Sequence, residues 1–263
     1  MSEYSRPVDY SSISRIYDIS RAANAETIEK LVKVLHIAGN STLLDLGCGT
    51  GNYTFTLQQA TKSVIGIDIS AAMLGKAQVK FPAIQLIRGD ITRLPFSSNT
   101  FDGALAIQVL HHVKKKGGFL VEARRVLRNG AFIAVHSCSH RQMRAFWFYH
   151  YFPKGLEVDQ ARIPDAGEIA YLLDGAGFSN IGSEICYHDV VVKDETPENY
   201  LDKNYRDGVS TFAFLAEDDI EKGCRKIREE IASGAAKDII QKAEAEVAER
   251  TGGSTIVYGQ KTG

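Results

Sequence analysis

The feature that most constrains this chain is a short apolar run that ends in a glycine-rich turn. Residues 42–46 are apolar apart from Thr42 and Asp45, and glycines follow at alternate positions, Gly47, Gly49 and Gly51. The run predicts a buried strand of a parallel sheet, and the glycines predict a turn in which the backbone comes very close to a bound molecule. In open doubly wound sheets, ligands bind at the carboxyl ends of the strands. The sequence therefore predicts a ligand site at the end of the first strand.

Further apolar segments alternate with helical stretches along the first half of the chain. The predicted strands that follow the first are residues 64–68, 86–90, 101–107 and 131–135, the last entered through a turn at 128–130. The predicted helices between them are residues 52–60, 71–80 and 119–127. Strands that are apolar on both faces and alternate with helices indicate a parallel sheet covered on both sides. Two later strands, 181–192 and 254–261, complete a Rossmann-like, doubly wound, mostly parallel seven-stranded α/β sheet with helices on both faces and a helical cap.

The length of 263 residues suits one large α/β domain that carries an insertion. Residues 1–38 are predicted to form an amino-terminal arm and helix, because apolar side chains recur at helical spacing from Ile28 to Leu35. Residues 39–263 form the main domain, with cap segments at about 140–164 and 197–250. If the two late strands pair antiparallel, the second cap segment is inserted where a hairpin turn would otherwise join them.

Composition excludes several partners. Lysine and arginine (31) nearly balance aspartate and glutamate (32), so the net charge of −1 gives no field that favours nucleic acid or an anionic membrane. No apolar run approaches the length needed to span a bilayer, and the amino terminus lacks the features of a signal peptide, so we expect a soluble, cytoplasmic protein. The cysteines at 48, 138, 186 and 224 form no CxxC pair, which fits reduced thiols. A monomer or a homodimer is expected.

The glycine turn alone does not identify its ligand. Its G-x-G-x-G pattern is one residue short of the dinucleotide fingerprint, because position 52 is Asn52. Asp68 ends the second predicted strand, 21 residues after Gly47, where a carboxylate can accept both hydroxyl groups of a ribose. Nicotinamide and methyl-donor sites share that feature. The discriminating residues are Asp45 before the glycines and Asp90 after the third strand.

Further motifs accompany the turn at familiar spacings. They are Asp68-Ile69-Ser70 with Met73, Gly89-Asp90, Leu94-Pro95-Phe96 leading to Phe101-Asp102, and Val109-Leu110-His111-His112-Val113. Together with the glycine turn, they resemble the class I S-adenosylmethionine-dependent methyltransferases, and most closely the type 11 group, which acts mostly on small molecules. The resemblance covers roughly residues 40–140. It implies S-adenosyl-L-methionine as the cofactor and a methyl transfer as the reaction.

The resemblance also implies how the methionine part of the cofactor is held. Asp45 and the backbone of Gly47, Gly49 and Gly51 would border it, with the amino group near Asp45. Gln108, which leaves the fourth strand, would face the sulfonium. The amino-terminal arm often closes over the cofactor in this group, so Tyr17 and Arg21 are candidates for the methionine carboxylate.

The adenosine part is assigned by the same resemblance. Asp68 would hold the ribose hydroxyls, and Ile69 and Met73 would sandwich the adenine. Asp90 would accept a hydrogen bond from the exocyclic amine, with Ile91 packed beside it. A carboxylate next to the glycines would repel a pyrophosphate and tolerate an ammonium, so Asp45 argues against a dinucleotide.

Two histidines follow the fourth strand at the rim where the methyl acceptor should lie. Histidine titrates close to neutrality, and a general base is needed only if the acceptor must lose a proton. We therefore predict His111 as the catalytic residue and His112 as a contact to the acceptor. The alternative is that one of them fixes a loop or points into the core. The neighbouring run of lysines at 114–116 is typical of a solvated loop.

Two other clusters lie at and beyond the fifth strand. His136, Cys138 and His140 would share one face of an extended strand and could hold a metal. We favour the alternative, a strand end whose polar residues line the acceptor cavity or face solvent, and predict no metal, because the group that the chain resembles normally needs none. Residues 145–152 are rich in aromatic side chains and belong to the cap. An aromatic wall suits a flat or apolar acceptor, with Tyr149 as a contact, while the alternative is ordinary packing of the cap on the core.

These observations favour a methyltransferase that transfers a methyl group to a small-molecule acceptor by in-line displacement. Such a reaction can gain much of its acceleration from orientation of the reacting groups. Three alternatives stay open: a nicotinamide oxidoreductase, an RNA or protein methyltransferase, and a non-catalytic protein that binds S-adenosylmethionine.

Overall fold

The structure is a computed structural model that describes residues 22–189 and 195–263. These residues form a seven-stranded sheet with the order β3-β2-β1-β4-β5-β7-β6. Strands β1 to β5 are parallel, and β7 runs antiparallel to both of its neighbours. The strands are Thr42–Leu46 (β1), Ser63–Asp68 (β2), Gln85–Arg88 (β3), Phe101–Ile107 (β4), Leu127–Ser137 (β5), Phe178–Cys186 (β6) and Ser254–Lys261 (β7). The predicted fold class is confirmed.

Helices cover both faces of this sheet and form a cap. Those that pack around the sheet are Ala25–Val34 (α1), Asn52–Leu57 (α2), Ala71–Lys80 (α3), Lys116–Val126 (α4) and Ala166–Gly175 (α8). Those of the cap are His140–Met143 (α5), Phe148–Tyr151 (α6), Pro153–Arg162 (α7), Lys203–Asp207 (α9), Glu217–Ser233 (α10) and Ala235–Glu246 (α11). Short 3₁₀ helices lie at Leu110–His112, Pro197–Leu201 and Ser210–Phe214, and a π-helical turn lies at Val247–Thr251. No helix among the described residues is long and apolar enough to cross a bilayer.

Strand β1 is at the centre of the hydrophobic core. Its leucines are fully buried, and because successive side chains of a strand point to opposite faces, they divide between two clusters. Leu44 and Leu46 pack with Phe119 of α4 on one face, whereas Leu43 packs with Leu31 of α1 on the other. This burial on both faces holds the carboxyl end of β1, and the glycine turn after it, in a fixed position.

Two strands differ from their predicted bounds. Strand β5 begins at Leu127 and not at 131, because residues 128–131 form a bulge: Leu127 pairs with Phe101, and Phe132 pairs with Gly103. The predicted turn at 128–130 therefore lies within the strand. Strand β6 begins three residues before the predicted start and ends at Cys186, which pairs with the first residue of β7, Ser254. Of the predicted strand 181–192, residues 190–192 lie outside the described residues.

The cap is one packed unit built from two chain segments. One segment contains α5 to α7, and the other contains the helices between Pro197 and Glu246, which lie in the chain between the antiparallel strands β6 and β7. A third hydrophobic cluster joins the segments: Trp147 and Phe152 of the first pack against Tyr200 and Phe212 of the second. The rings of Trp147 and Tyr200 meet edge to face with their centroids 5.9 Å apart.

Candidate functional site

The glycine turn after β1 has a geometry that requires glycine. Gly47 has a φ of +78°, in the left-handed region that side chains disfavour. A Cβ atom at this position would lie 2.5 Å from Cγ2 of Val109. The amide of Gly49 donates to Oδ2 of Asp68 at 2.9 Å, which ties the turn to the end of β2. The turn is thus close-packed on the side that faces Val109, and its opposite side is open.

A cavity of about 480 Å³, which we call the glycine-turn cavity, opens on that side. It is lined by residues from the turn, from the ends of β2 and β3 and from the segment after β4. The lining includes most of the residues predicted to hold the cofactor, namely Gly47, Gly49, Asp68, Ile69, Met73, Asp90, Ile91 and Gln108. Predicted contacts from Tyr17 and Arg21 lie outside the described residues.

Asp68 is held in place by the backbone around it. Its Oδ2 accepts from the amide of Gly49 and its Oδ1 accepts from the amide of Ser70 at 2.8 Å. A carboxylate oxygen can accept a second hydrogen bond, so each oxygen retains capacity for a ligand hydroxyl. Next to it, Ile69 is 67% exposed at the cavity wall, which is unusual for an isoleucine and suits a flat apolar group packed on it.

Asp90 lies at the far end of the same cavity. Its Oδ1 accepts from both the amide and the hydroxyl of Thr92, each at 2.8 Å, so the carboxylate is oriented by its own loop. Its exposed position leaves the other oxygen available to a donor such as an exocyclic amine. Lys114 and Lys115 also line this cavity, so the lysine run is not simply a solvated loop.

Asp45 lies beneath the turn. It is 1% exposed, its Oδ2 accepts from Oγ1 of Thr54 at 2.6 Å, and its Oδ1 is buried with no hydrogen-bond partner. Burial raises the pKa of Asp45 to about 7, the Thr54 hydrogen bond opposes that rise, and the negative charge of Asp68 adds to it. Of the described residues predicted to border the methionine part, Asp45 and Gly51 do not line the cavity. A Cβ at Gly51 would meet Cδ1 of Ile84 at 2.7 Å, so this glycine serves close packing.

Gln108 lies at the boundary between two cavities. It has a φ of +49°, and its amide donates to the carbonyl oxygen of His136 at 3.0 Å. Its side-chain Nε2 donates to Sγ of Cys138 at 3.7 Å. Gln108 lines the glycine-turn cavity and also a second cavity of about 350 Å³, which lies under the cap and which we call the cap cavity.

The cap cavity has aromatic walls. Phe146, Trp147, Phe148 and Tyr149 line it from the first cap segment, and tyrosines from the second segment complete the wall. Tyr149 therefore has the position predicted for an acceptor contact. Trp147 and Phe148 also pack within the cap core, so the packing alternative holds for part of the aromatic cluster, and its contact with an acceptor stays a prediction.

A buried polar network supports Tyr149. Its hydroxyl donates to Oδ2 of Asp159 at 3.0 Å, the hydroxyl of Thr211 donates to the same oxygen at 2.7 Å, and Arg162 donates to Oδ1 at 3.1 Å. Burial, the charge of Asp159 and the thiol of Cys138 together raise the pKa of the Tyr149 hydroxyl well above its usual value. Tyr149 is therefore neutral at physiological pH. Sequence reasoning missed Asp159 and Thr211, which no motif marks.

The two histidines after β4 line different cavities. His111 lines the cap cavity, whereas His112, for which we expected an acceptor contact, lines the glycine-turn cavity. The reason is local: both belong to a 3₁₀ turn, in which successive side chains diverge by about 120°. Their ring centroids are 3.8 Å apart.

The histidine and cysteine cluster at the end of β5 does not converge. His136 Nε2 lies 2.6 Å from Oδ2 of Asp189 and 2.8 Å from Oγ of Ser254, whereas His140 Nε2 lies 2.9 Å from the carbonyl oxygen of Ile163. The strand ends before His140, which begins α5, so the two rings do not share a face. The described part of the chain contains no group of three histidine, cysteine or acidic side chains that could hold a metal ion.

Comparisons with known proteins agree with this geometry. A family model described as a methyltransferase domain matches residues 44–135. The demethylmenaquinone methyltransferase of Staphylococcus saprophyticus is 30% identical over 178 residues, which cover 58% of this chain and 76% of that protein. The 2-phytyl-1,4-naphtoquinone methyltransferase of Nostoc punctiforme is 37% identical over 130 residues, which cover 45% of this chain and 56% of that protein.

A solved structure shows the same fold. It is a candidate methyltransferase from an antibiotic biosynthesis pathway of Anabaena variabilis, with a TM-score of 0.76 and 23% identity. The match covers 92% of this chain and 99% of that one. The sequence motifs, the sheet and the relatives together identify the chain: it belongs to the class I S-adenosylmethionine-dependent methyltransferases, in the type 11 group.

Proposed function

We propose that this enzyme methylates a small aromatic molecule bound in the cap cavity. The observation that carries the proposal is that Gln108 lines both cavities. A methyl donor in one cavity and an acceptor in the other would meet at this side chain, as in-line displacement requires. S-adenosylmethionine supplies a methyl group on a positively charged sulfur.

The glycine-turn cavity fits that cofactor. The fixed carboxylate of Asp68 suits the ribose hydroxyls, the exposed face of Ile69 suits the adenine, and the exposed carboxylate of Asp90 suits the exocyclic amine. Asp45 offers a buried, unpartnered oxygen beneath the glycine turn. Because Asp45 does not line the cavity, any effect of its carboxyl group on the cofactor would act through the glycine turn above it.

The acceptor is inferred from the cap cavity. Its volume of about 350 Å³ and its aromatic walls fit a ring system of one or two rings. The two relatives compared above are named for quinone substrates, which supports a quinone-related or phenolic acceptor. The matches leave 42% and 55% of this chain unaligned, so the identity of the acceptor is proposed from the cap cavity and not from the relatives' names alone.

His111 is the candidate general base. It lines the cap cavity, as Gln108 does, and lies three positions after Gln108 in the sequence. A neutral imidazole can accept a proton from a hydroxyl or amine acceptor as the methyl group arrives.

The test is a methyl transfer assay with mass spectrometry on a pool of phenols, hydroquinones, aromatic amines and thiols. A product heavier by one methyl group, with saturable binding of S-adenosylmethionine, is the expected result. His111→Gln should lower turnover of that product by about 10²-fold or more and leave cofactor affinity unchanged. His150→Gln, at a histidine paired with Glu230 on the cap surface, is the matched control. Cofactor binding with no product from any class would contradict the proposal.

A further inference from the structure

Most of the hydroxyl groups that the cap contributes to its cavity share one property. The cap residues with a hydroxyl group in the lining are Tyr149, Tyr200, Tyr205, Ser210 and Thr211. All of them except Ser210 donate the hydroxyl proton to a carboxylate. Tyr149 and Thr211 donate to Asp159 at 3.0 and 2.7 Å. A hydroxyl that has donated its proton can offer a ligand only its lone pairs.

Glu195 receives the other two hydroxyl protons. Tyr200 and Tyr205 both donate to its Oε1, the latter at 3.1 Å. Glu195, like Asp159, lines the cavity, and Glu244 of α11 is a third acidic residue in the wall. Lysine and arginine are absent from the described residues that line the cavity. Apart from Trp147 and Ser210, the polar side chains of the cap therefore present hydrogen-bond acceptors and negative charge to a ligand.

A polar ligand has to match this pattern. Burying a polar group without a hydrogen-bond partner is unfavourable, so a ligand that places another acceptor against these oxygens binds more weakly. A carboxylate or phosphate would also meet the acidic side chains with no lysine or arginine among the described residues of the wall. An N–H or O–H donor would find a lone pair, and an ammonium would gain from the aromatic faces as well.

We propose that the acceptor presents a hydrogen-bond donor, an amine or a hydroxyl group, to the cap, and that anions and pure acceptors are excluded. The inference rests on the proposed function, because it assumes that the cap cavity holds the acceptor. It adds the chemical class of the group that the cap selects, which neither the cofactor motifs nor the relatives' names specify.

The test uses four ligands of one shape. Each carries a naphthyl ring, and the side chain ends in an amine, a hydroxyl, a methyl ether or a carboxylate. Binding is measured by calorimetry on the full chain saturated with S-adenosylhomocysteine. The amine and the alcohol are expected to bind about tenfold more tightly than the ether and the carboxylate. An ether or a carboxylate that binds as tightly as the donors would overturn the inference.

Two variants assign the effect to the cap. Glu195→Gln keeps an oxygen that accepts from the tyrosine hydroxyls and adds an amide N–H. The ratio of the affinities of the amine and alcohol ligands to those of the ether and carboxylate ligands should therefore fall about threefold or more. Glu29→Gln removes the same charge from an exposed position on α1 and should leave the preference unchanged. An unchanged preference in Glu195→Gln, with normal melting and cofactor binding, would count against the inference.

The same experiment separates the two proposals. If none of the four ligands binds while S-adenosylhomocysteine does, the cap cavity is not the acceptor site, and both proposals fail. If all four bind with equal affinity, the cap cavity accepts aromatic ligands and only the inference about donors fails.

Discussion

The side-chain amide of Gln108 donates to the thiol of Cys138 across 3.7 Å, and this contact lies where the two cavities meet. The contact spans the ends of two adjacent parallel strands, β4 and β5, and the backbone amide of Gln108 is held by His136 of β5. The strand ends thus fix the side chain between the two cavities, and neither of these hydrogen bonds involves a cap helix. Orientation at this boundary should therefore depend on Gln108.

Gln108→Ala should lower kcat by about one to two orders of magnitude while the affinity for S-adenosylhomocysteine changes little, because misplacing the reacting groups by about 1 Å can cost 10²-fold. Single-turnover kinetics with calorimetry would measure both quantities. Gln59→Ala, on the exposed surface after α2, is the control. A normal kcat with weakened cofactor binding would assign Gln108 to the cofactor alone.

Asp68→Ala should weaken cofactor binding by one to two orders of magnitude, roughly 1.4–3 kcal/mol, because charge-assisted hydrogen bonds to the ribose are lost. The carboxylate also accepts from Gly49 and Ser70, so part of the loss arises from the turn itself. Calorimetry gives the affinity, and Asp174→Ala, at an exposed position, is the control. Asp68→Asn keeps one acceptor oxygen, so its affinity for the cofactor should lie between the affinities of the wild type and of Asp68→Ala. An unchanged affinity in Asp68→Ala would refute the ribose assignment.

Asp45→Asn should change how stability depends on pH. The carboxyl group has a pKa of about 7 in the folded protein, against an ordinary value of 3.8. Between these values the folded state holds a proton that the unfolded chain lacks, so the free energy of unfolding of the wild type falls as pH rises from about 4 to about 7. The total loss is up to about 4 kcal/mol, and it is complete above pH 7.

The asparagine variant lacks this ionisation, so its stability relative to the wild type should rise across the same interval and then level off. Urea unfolding of the cofactor-free protein at pH 4.5, 6 and 8 would measure it. Parallel stability curves for the two proteins would show that Asp45 is ionised in the fold.

Gly47→Ala should destabilise the fold and abolish cofactor binding. The left-handed backbone costs an alanine roughly 1–2 kcal/mol, and its Cβ would lie 2.5 Å from Val109, so the turn has to move. Thermal melting and calorimetry report the two effects. Gly175→Ala is the matched control, because a Cβ there has no neighbour within 4 Å and the residue ends helix α8. That control should be neutral or stabilising by up to about 1 kcal/mol.

Trp147→Ala should raise the half-saturating concentration of the acceptor far more than that of the cofactor. The indole lines the cap cavity and also packs edge to face on Tyr151 and Tyr200, so a loss of about 3–5 kcal/mol in stability is expected alongside. Steady-state kinetics below the melting temperature separate the two effects. Phe55→Ala, which removes a ring stacked on Phe81 away from this cavity, is the control. Equal effects on acceptor and cofactor would leave only a folding role for Trp147.

The parallel half of the fold could be predicted from the sequence because its central strands, β1 and β4, are largely buried on both faces. Strand β4, helix α3 and strand β7 have their predicted bounds, since apolar runs with clear polar ends mark them. The start of β5 and the bounds of β6 could not be predicted. Both strands contain register shifts, which break the alternation of side chains that a sequence pattern depends on.

The two cavities differ in the same way. Residues of the glycine-turn cavity follow strand ends, where a short motif fixes both chemistry and place. In the wall of the cap cavity, Thr211 donates a hydrogen bond to Asp159, although the two residues are 52 positions apart in the chain. No local sequence pattern predicts such a pair. His112 shows that sequence reasoning can fail at a single residue. It follows His111 directly in a 3₁₀ turn, yet its side chain lines the glycine-turn cavity and not the cap cavity.

The pairing of Cys186 with Ser254 has a consequence for how such an enzyme can change. The second cap segment leaves and re-enters the sheet at neighbouring points on one edge, so its length and sequence can vary without shifting the register of β1 to β5. Changes in this segment can therefore reshape one wall of the cap cavity while the parallel strands stay in register. The other wall, which the first cap segment supplies, stays as it is.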